Sequence, residues 1–203
     1  MVDLTQDREL AGVLPSGALL SSQPGQWSGV HLSHYHHPAH SMPEIASQHH
    51  LILVHLEGAT QVEQWLETQY QKEQFQAGSV LVVPAGTPHH ANWDAENRYL
   101  ILSLEPSALH HAAQAAGNRS TADLTPNFTA ADPLIHGVGL SLKAELESGN
   151  LGGQLYADTL CSALFAHLLR HYTAHKAGIP TPVPTGGLPR YQLQQVTEYI
   201  DAS

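Results

Sequence analysis

The sequence of 203 residues has little cysteine, little positive charge and no long apolar run. Its single cysteine, Cys161, excludes an internal disulfide framework and most zinc sites built from thiolates. Lysine and arginine total 8 against 18 acidic residues, so the formal net charge of −10 should repel the phosphates of nucleic acids. The apolar runs are far shorter than the roughly 20 residues that cross a bilayer, and the start lacks a signal peptide. We therefore expect a soluble cytoplasmic protein with no membrane partner.

Apolar residues make up 42% of the chain, which is enough to build a core for one large domain or a domain with a helical appendage. After an N-terminal arm (1–26), the segment 27–130 carries short runs rich in Val, Ile and Leu. Gly and Pro separate these runs, which is typical of buried strands. Such closely spaced strands predict a closed or sandwiched β unit, since closure removes exposed strand edges.

From residue 131 to 177 the apolar residues recur at helical spacing. Asp132 followed by Pro133 is typical of a helix start, and the sequence Ser-Gly-Asn at 148–150 is typical of a helix end. A second helix should run from about 153 to 177, so the pair should form a hairpin. The predicted fold class is α+β, mainly β, with a β-barrel followed by this hairpin. One apolar stripe of the second helix is a candidate dimerisation surface: Leu160, Leu164, Phe165 and Leu168.

Residues 178–189 contain four prolines and three glycines and predict an interdomain linker. Residues 190–203 then have the apolar spacing of another amphipathic helix. A linker that leads to so short a helix suggests a longer parent protein, in which a further domain follows.

The segment from Gly78 to His89, GSVLVVPAGTPH, has an apolar strand, a Pro/Gly turn and then a histidine. It resembles the second conserved motif of cupins, small β-barrels that usually bind a metal through that histidine in the barrel mouth. The first cupin motif, His-x-His followed by Glu, is not present in usable form: His34-Tyr35-His36 lacks a correctly spaced Glu. We therefore predict no metal or other cofactor, with a metal at His89 kept as an alternative.

Strand alternation suggests which side chains face the interior of the barrel, although the phase stays open by one residue. His89 and His50 are candidate contacts to an effector. Alternatively, each imidazole could be a buried core residue that is hydrogen-bonded within the protein. Trp93 could form a stacking wall or simply fill the core. The full set of candidate effector-binding residues is His50, Ile52, Val54, Val82, His89 and Trp93.

Other histidines are abundant, since the chain has 16 in total. Three of them, His167, His171 and His175, recur every four residues and share one face of the second helix. We interpret them as the solvated side of the hairpin, without the glutamate that a zinc-protease helix would supply. The group from His31 to His40 is interpreted as a polar strand and its turn.

Three blocks together resemble the AraC-type transcription regulators: LVVPAGTPHHANW, the region 132–172, and GGLPRYQLQQVTEYI. The resemblance implies a cupin-like domain that binds a small-molecule effector, a helical hairpin that forms a homodimer, and DNA contacts only through a C-terminal helix-turn-helix domain, of which 190–203 would be the first helix. No catalytic residue follows from it. Two alternatives stay open, a metal-dependent cupin enzyme (oxygenase or isomerase) and a purely structural dimer module.

Overall fold

A computed structural model of the chain describes residues 1–6, 9, 12–23, 25–117 and 123–173. The expected linker (178–189), the expected helix (190–203) and His175 lie outside the described residues. The strands are β1 Leu20–Ser21, β2 Val30–His37, β3 His40–Ala46, β4 His50–Glu57, β5 Ala59–Leu66, β6 Gln69–Gln76, β7 Ser79–Val83, β8 Pro88–Trp93, β9 Asn97–Leu104 and β10 Asn127–Ala131. The helices are α1 Pro106–Ala115, α2 Pro133–Glu147 and α3 Gly153–His171.

The described strands form two antiparallel sheets rather than one closed ring. The six-stranded sheet has the order β1-β2-β9-β4-β7-β10, and the four-stranded sheet has the order β3-β8-β5-β6. From β2 to β9 the strands alternate one by one between the two sheets, except that β5 and β6 both lie in the four-stranded sheet. This interleaved order is that of a jelly roll, the architecture of cupins. The expected β unit is therefore sandwiched, with helices after it.

The six-stranded sheet is apolar on both of its faces. In β4, Leu51, Ile52 and Val54 are each at most 1% exposed, although successive side chains point to opposite faces. Leu51 belongs to a core that lies between the two sheets. Ile52 and Val54 belong to a second core, shared with the helices on the outer face of the same sheet.

The boundaries of α2 follow from its terminal residues. Asp132 caps the helix, because its Oδ1 accepts hydrogen bonds from the backbone N–H groups of Leu134 and Ile135 at 3.0 Å each. The helix ends at Ser148, and Gly149 (φ 73°) and Asn150 (φ 64°) adopt the left-handed conformation. These features confirm the expected start and end. The short helix α1 was not expected from the sequence.

Helix α2 lies directly on the six-stranded sheet. A Cβ atom at Gly139 would lie 3.2 Å from Leu100 Cδ1 and 3.9 Å from Val54 Cγ2, so a larger residue would push the helix off strands β9 and β4. Helix α3 shares the same core through Leu164 and Leu168. No helix within the described ranges is long and apolar enough to span a membrane.

The candidate dimerisation residues are placed differently from the prediction. Leu164, Phe165 and Leu168 are buried inside the single chain, with exposures of 0%, 5% and 0%, and Leu160 packs against the same core. The stripe packs against α1 and α2, in the core that these helices share with the outer face of the six-stranded sheet. These four residues are therefore part of the fold's own core, and a subunit contact would need other side chains.

We expect Leu164→Ala to lower the free energy of unfolding by about 2–5 kcal/mol, because it leaves a cavity in the core between helix and sheet. The matched control is Leu140→Ala on α2, where the leucine is 42% exposed and the loss should be about 1 kcal/mol or less. Urea unfolding followed by circular dichroism measures both. Equal losses for the two variants would contradict this placement of Leu164.

Candidate functional site

A cavity lies between the two sheets, and its empty volume of about 670 Å³ includes the open solvent at its mouth. Side chains from both sheets and from the N-terminal arm line it. The apolar and aromatic lining residues are Leu4, Val13, Leu14, Met42, Ile45, Leu51, Leu53, Val62, Phe75, Leu81, Ala91, Trp93, Tyr99 and Ile101.

Four polar side chains also line the cavity: His55, Gln64, His89 and Asn97. All four are at most 8% exposed. Within the described part of the chain, both ring nitrogens of His55, Nδ1 of His89 and Oδ1 of Asn97 have no hydrogen-bond partner. Buried polar atoms normally have one, because leaving them unpaired costs about 1–3 kcal/mol each. The cavity therefore offers unused hydrogen-bonding capacity.

His89 reaches the cavity through the turn that the sequence motif predicts. Strand β7 ends at Val83, Gly86 takes a positive φ of 78°, and β8 then carries His89 inward. The His89 side chain lines the cavity and is 5% exposed. Burial lowers the pKa of His89 to about 4, so the ring is neutral near pH 7.

His50 is not a cavity residue, which corrects the prediction. Its Nδ1 accepts a hydrogen bond from the backbone N–H of Ala85 at 3.0 Å. Burial lowers the pKa of His50 to about 4, and this keeps Nδ1 free to accept. His50 therefore supports the turn before His89, and the buried histidine of β4 that faces the cavity is His55.

Ile52, Val54 and Val82 are also misplaced by the prediction. They belong to the core under the helices, on the face of the six-stranded sheet opposite the cavity. Their neighbours Leu51, Leu53 and Leu81 line the cavity instead. Strands β4 and β7 are apolar on both faces. The sequence alone therefore does not tell which set of alternate residues faces the cavity and which faces the helices.

Trp93 lines the cavity. Its indole N–H donates to the carbonyl oxygen of Pro38 at 2.7 Å, which satisfies the only polar atom of the ring. The ring centroid lies 6.3 Å from that of Tyr99 and 6.4 Å from that of His37. These aromatic rings form one end of the cavity wall.

The N-terminal arm, residues 1–26, contributes Leu4, Val13 and Leu14 to the lining. Two histidines hold its backbone near the aromatic wall. His37 Nε2 donates to the carbonyl of Ser16 at 3.1 Å, and His40 Nε2 donates to the carbonyl of Val13 at 3.2 Å. Because Nε2 of His37 carries the proton, its Nδ1 accepts from the Tyr99 hydroxyl at 2.8 Å. Sequence reasoning did not identify the arm as part of the site.

The donors around His89 do not fit the metal site of cupins. The residues paired with His89 on the neighbouring strands are Ile45 and Leu66, and both are apolar. Residues 1–173, where described, contain no group of three or more His, Cys, Asp or Glu side chains close enough to hold a metal ion. We therefore derive no chemistry through a metal.

Of the α3 histidines interpreted as solvated, His167 is part-buried and has a structural role, which corrects that interpretation. His167 Nε2 and the Tyr172 hydroxyl both bind Oδ2 of Asp132, at 2.7 Å and 2.8 Å. These contacts tie the end of α3 to the start of α2. His171 lies beside His167, with 4.6 Å between ring centroids, and is exposed.

The sequence matches no protein-family profile and no curated protein. Among solved structures, a cupin superfamily protein from Desulfitobacterium hafniense has 22% identity and a TM-score of 0.34, covering 42% of this chain and 76% of its own. An RmlC-like cupin with a double-stranded β-helix fold from Methanocaldococcus jannaschii has 18% identity and a TM-score of 0.34. The match covers 44% of this chain and 77% of that protein. An oxalate decarboxylase variant of Bacillus subtilis has 12% identity and a TM-score of 0.34. The match covers 39% of this chain and 22% of that protein.

These similarities are slight, and we carry no property of those proteins over to this chain. The assignment of the fold depends on the strand order of the two sheets, which defines a cupin-like β domain. The chain adds helices α2 and α3 to this domain, packed on its outer face.

Stability should fall as the pH drops from about 6.5 to about 4, in part because His89 is buried as the neutral ring. Its pKa in the folded chain is below the unfolded value of about 6.5. Protonation in this range therefore favours the unfolded state, at a cost of about 3 kcal/mol from His89. Urea unfolding at pH 7 and pH 4.5 should show a smaller pH effect in His89→Leu than in the unmodified chain.

The matched control for this experiment is His110→Leu, at an exposed position on α1, which should retain the full pH effect. An identical pH dependence in all three proteins would show that His89 is not buried as the neutral ring.

Proposed function

We propose that this chain is the small-molecule-sensing part of an AraC-type transcription regulator. The observation that carries the proposal is the cavity between the sheets, because it combines a continuous apolar wall with buried polar atoms that lack partners. A cavity that only filled the fold would have no need of polar side chains at its surface. The sequence resemblance to AraC-type regulators supplies the biological context.

The packing supports a route from the ligand to the helices. In β4 the cavity residues Leu51, Leu53 and His55 alternate with Ile52 and Val54, which contact the helical core. A ligand that moves this strand therefore changes the surface on which α2 rests. A ligand that binds one arrangement better than another shifts the population toward it, and a coupling of about 1–3 kcal/mol would alter DNA affinity roughly 5- to 150-fold.

In this proposal DNA is contacted by the regulator's C-terminal helix-turn-helix domain and not by the described β domain. The negative net charge of −10 supports this division, since phosphate contacts need lysine and arginine. The metal-dependent cupin enzyme is less well supported, because His89 has apolar neighbours on both adjacent strands.

Filling the cavity should abolish ligand binding. Ala91 lies between Met42 and Gln64 on the neighbouring strands and lines the cavity, so Ala91→Leu places a larger side chain inside it. In a thermal-shift screen of charged and uncharged small molecules, a true ligand at a hundredfold excess over its Kd should stabilise the unmodified chain by about 2.7 kcal/mol. We expect this shift to disappear in Ala91→Leu.

The matched control is Ala95→Leu, at an exposed position between β8 and β9, which should retain the shift. The function is wrong if no compound stabilises the unmodified chain, or if every stabilising compound acts equally on Ala91→Leu.

We also propose that the chain forms a homodimer, through a surface different from the predicted stripe. Leu151, Leu155 and Tyr156 lie together at the start of α3 and are 85%, 81% and 44% exposed. Exposed apolar side chains grouped in this way are typical of interaction surfaces. We expect a dimer in analytical ultracentrifugation and a monomer for Leu155→Glu, with an unchanged circular dichroism spectrum. A monomer for the unmodified chain at high concentration would contradict this.

A further inference from the structure

We propose that the ligand is an uncharged, mainly apolar molecule with a hydroxyl group, and that this hydroxyl binds between His55 and Asn97. This inference rests on the proposed function, because it names the class of molecule that the cavity accepts. Three kinds of observation support it: the charge of the lining, the position of the two polar residues, and the hydrogen-bonding capacity of their free atoms.

The lining contains no aspartate, glutamate, lysine or arginine. A carboxylate or ammonium group on a ligand would lose its water there without gaining an oppositely charged partner, which is strongly unfavourable. The imidazole of His89 does not supply a positive charge near pH 7, since burial lowers its pKa to about 4. The lining therefore selects against ions and favours a neutral ligand.

The polar lining residues occupy different sheets. Gln64 and His89 lie on β5 and β8 of the four-stranded sheet, and His55 and Asn97 lie on β4 and β9 of the six-stranded sheet. Tyr99 is paired directly with His55, and Asn97 is two residues away from Tyr99, so it faces the same side. The His55 and Asn97 side chains therefore lie on the same wall of the cavity.

The free atoms of this pair require both a donor and an acceptor. Asn97 Oδ1 can only accept a hydrogen bond. A neutral imidazole has one N–H donor and one acceptor, and both nitrogens of His55 lack partners within the described residues. A single hydroxyl group can donate to Asn97 and accept from His55. A carbonyl group accepts only, and would leave Oδ1 of Asn97 unpaired.

The apolar surroundings of this pair include aromatic rings. Phe75 lies edge-on to His55, with centroids 6.2 Å apart and planes at 83°. Tyr99 and Trp93 also meet edge-on, at 6.3 Å and 70°. An aromatic or alicyclic ring that carries the hydroxyl would find both face and edge contacts here.

The test uses four probes of similar shape: 4-propylphenol, propylbenzene, 4-propylbenzoate and 4-propylbenzylammonium. Dissociation constants are measured by calorimetry at pH 7 with the unmodified chain. We expect 4-propylphenol to bind at least tenfold more tightly than each of the other three. The class of ligand is wrong if an ion binds best, or if propylbenzene binds as tightly as the phenol; neither result depends on whether a variant folds.

Substitution then locates the hydroxyl. In Asn97→Leu, 4-propylphenol and propylbenzene should bind with about equal dissociation constants. The Kd of propylbenzene should stay within about threefold of its value for the unmodified chain. The matched control, Asn92→Leu on the opposite face of β8, should keep the preference. A second variant, His55→Phe, should lose it as Asn97→Leu does. A preference retained in both cavity variants would overturn the assignment to His55 and Asn97.

The two proposals can fail separately. If none of the four probes binds, the proposed ligand class is overturned, and the broader screen with Ala91→Leu decides whether the cavity binds other small molecules. If that screen also finds nothing, the sensing function falls as well.

Discussion

Strands β4, β7 and β9 are largely apolar on both faces, and the rest of the architecture follows from the need to cover both. The four-stranded sheet covers the inner face, and α2 and α3 cover the outer face. Burial of each large aliphatic side chain contributes about 1.5–3 kcal/mol. A helical pair that was detached from the β domain would expose Ile52, Val54 and Leu100 to water, so helices and sheet form one folding unit.

The two faces differ in how completely they are filled. On the outer face, Gly139 lets α2 approach within contact distance of Leu100, and the core there is closely packed. On the inner face the two sheets leave a cavity, with His55, His89 and Asn97 at its wall. Such polar atoms lower stability when unpaired, and this observation supports the proposed binding of a small molecule at the cavity. The same strands thus have a closely packed outer face and an inner face that borders the cavity.

Three of the histidines that the sequence analysis interpreted as a polar strand and turn, or as core residues, position the site rather than form it. His50 supports the turn before His89, and His37 and His40 hold the arm against the aromatic wall. Each acts through a backbone group, and such contacts follow no spacing rule along the chain. The sequence therefore did not indicate which histidine rings would face the cavity.

Local rules were sufficient to predict several elements from the sequence alone. The Asp132 cap, the left-handed residues after α2, the turn at Gly86 and the inward position of His89 each depend on a few adjacent residues, so the chain specifies them directly. Tertiary structure decided the rest: which face of β4 lines the cavity, the burial of Leu164 and Leu168 within one chain, and the placement of His55 and Asn97 on one cavity wall. Those outcomes depend on what covers each face of a strand, and when both faces are apolar the sequence does not distinguish them.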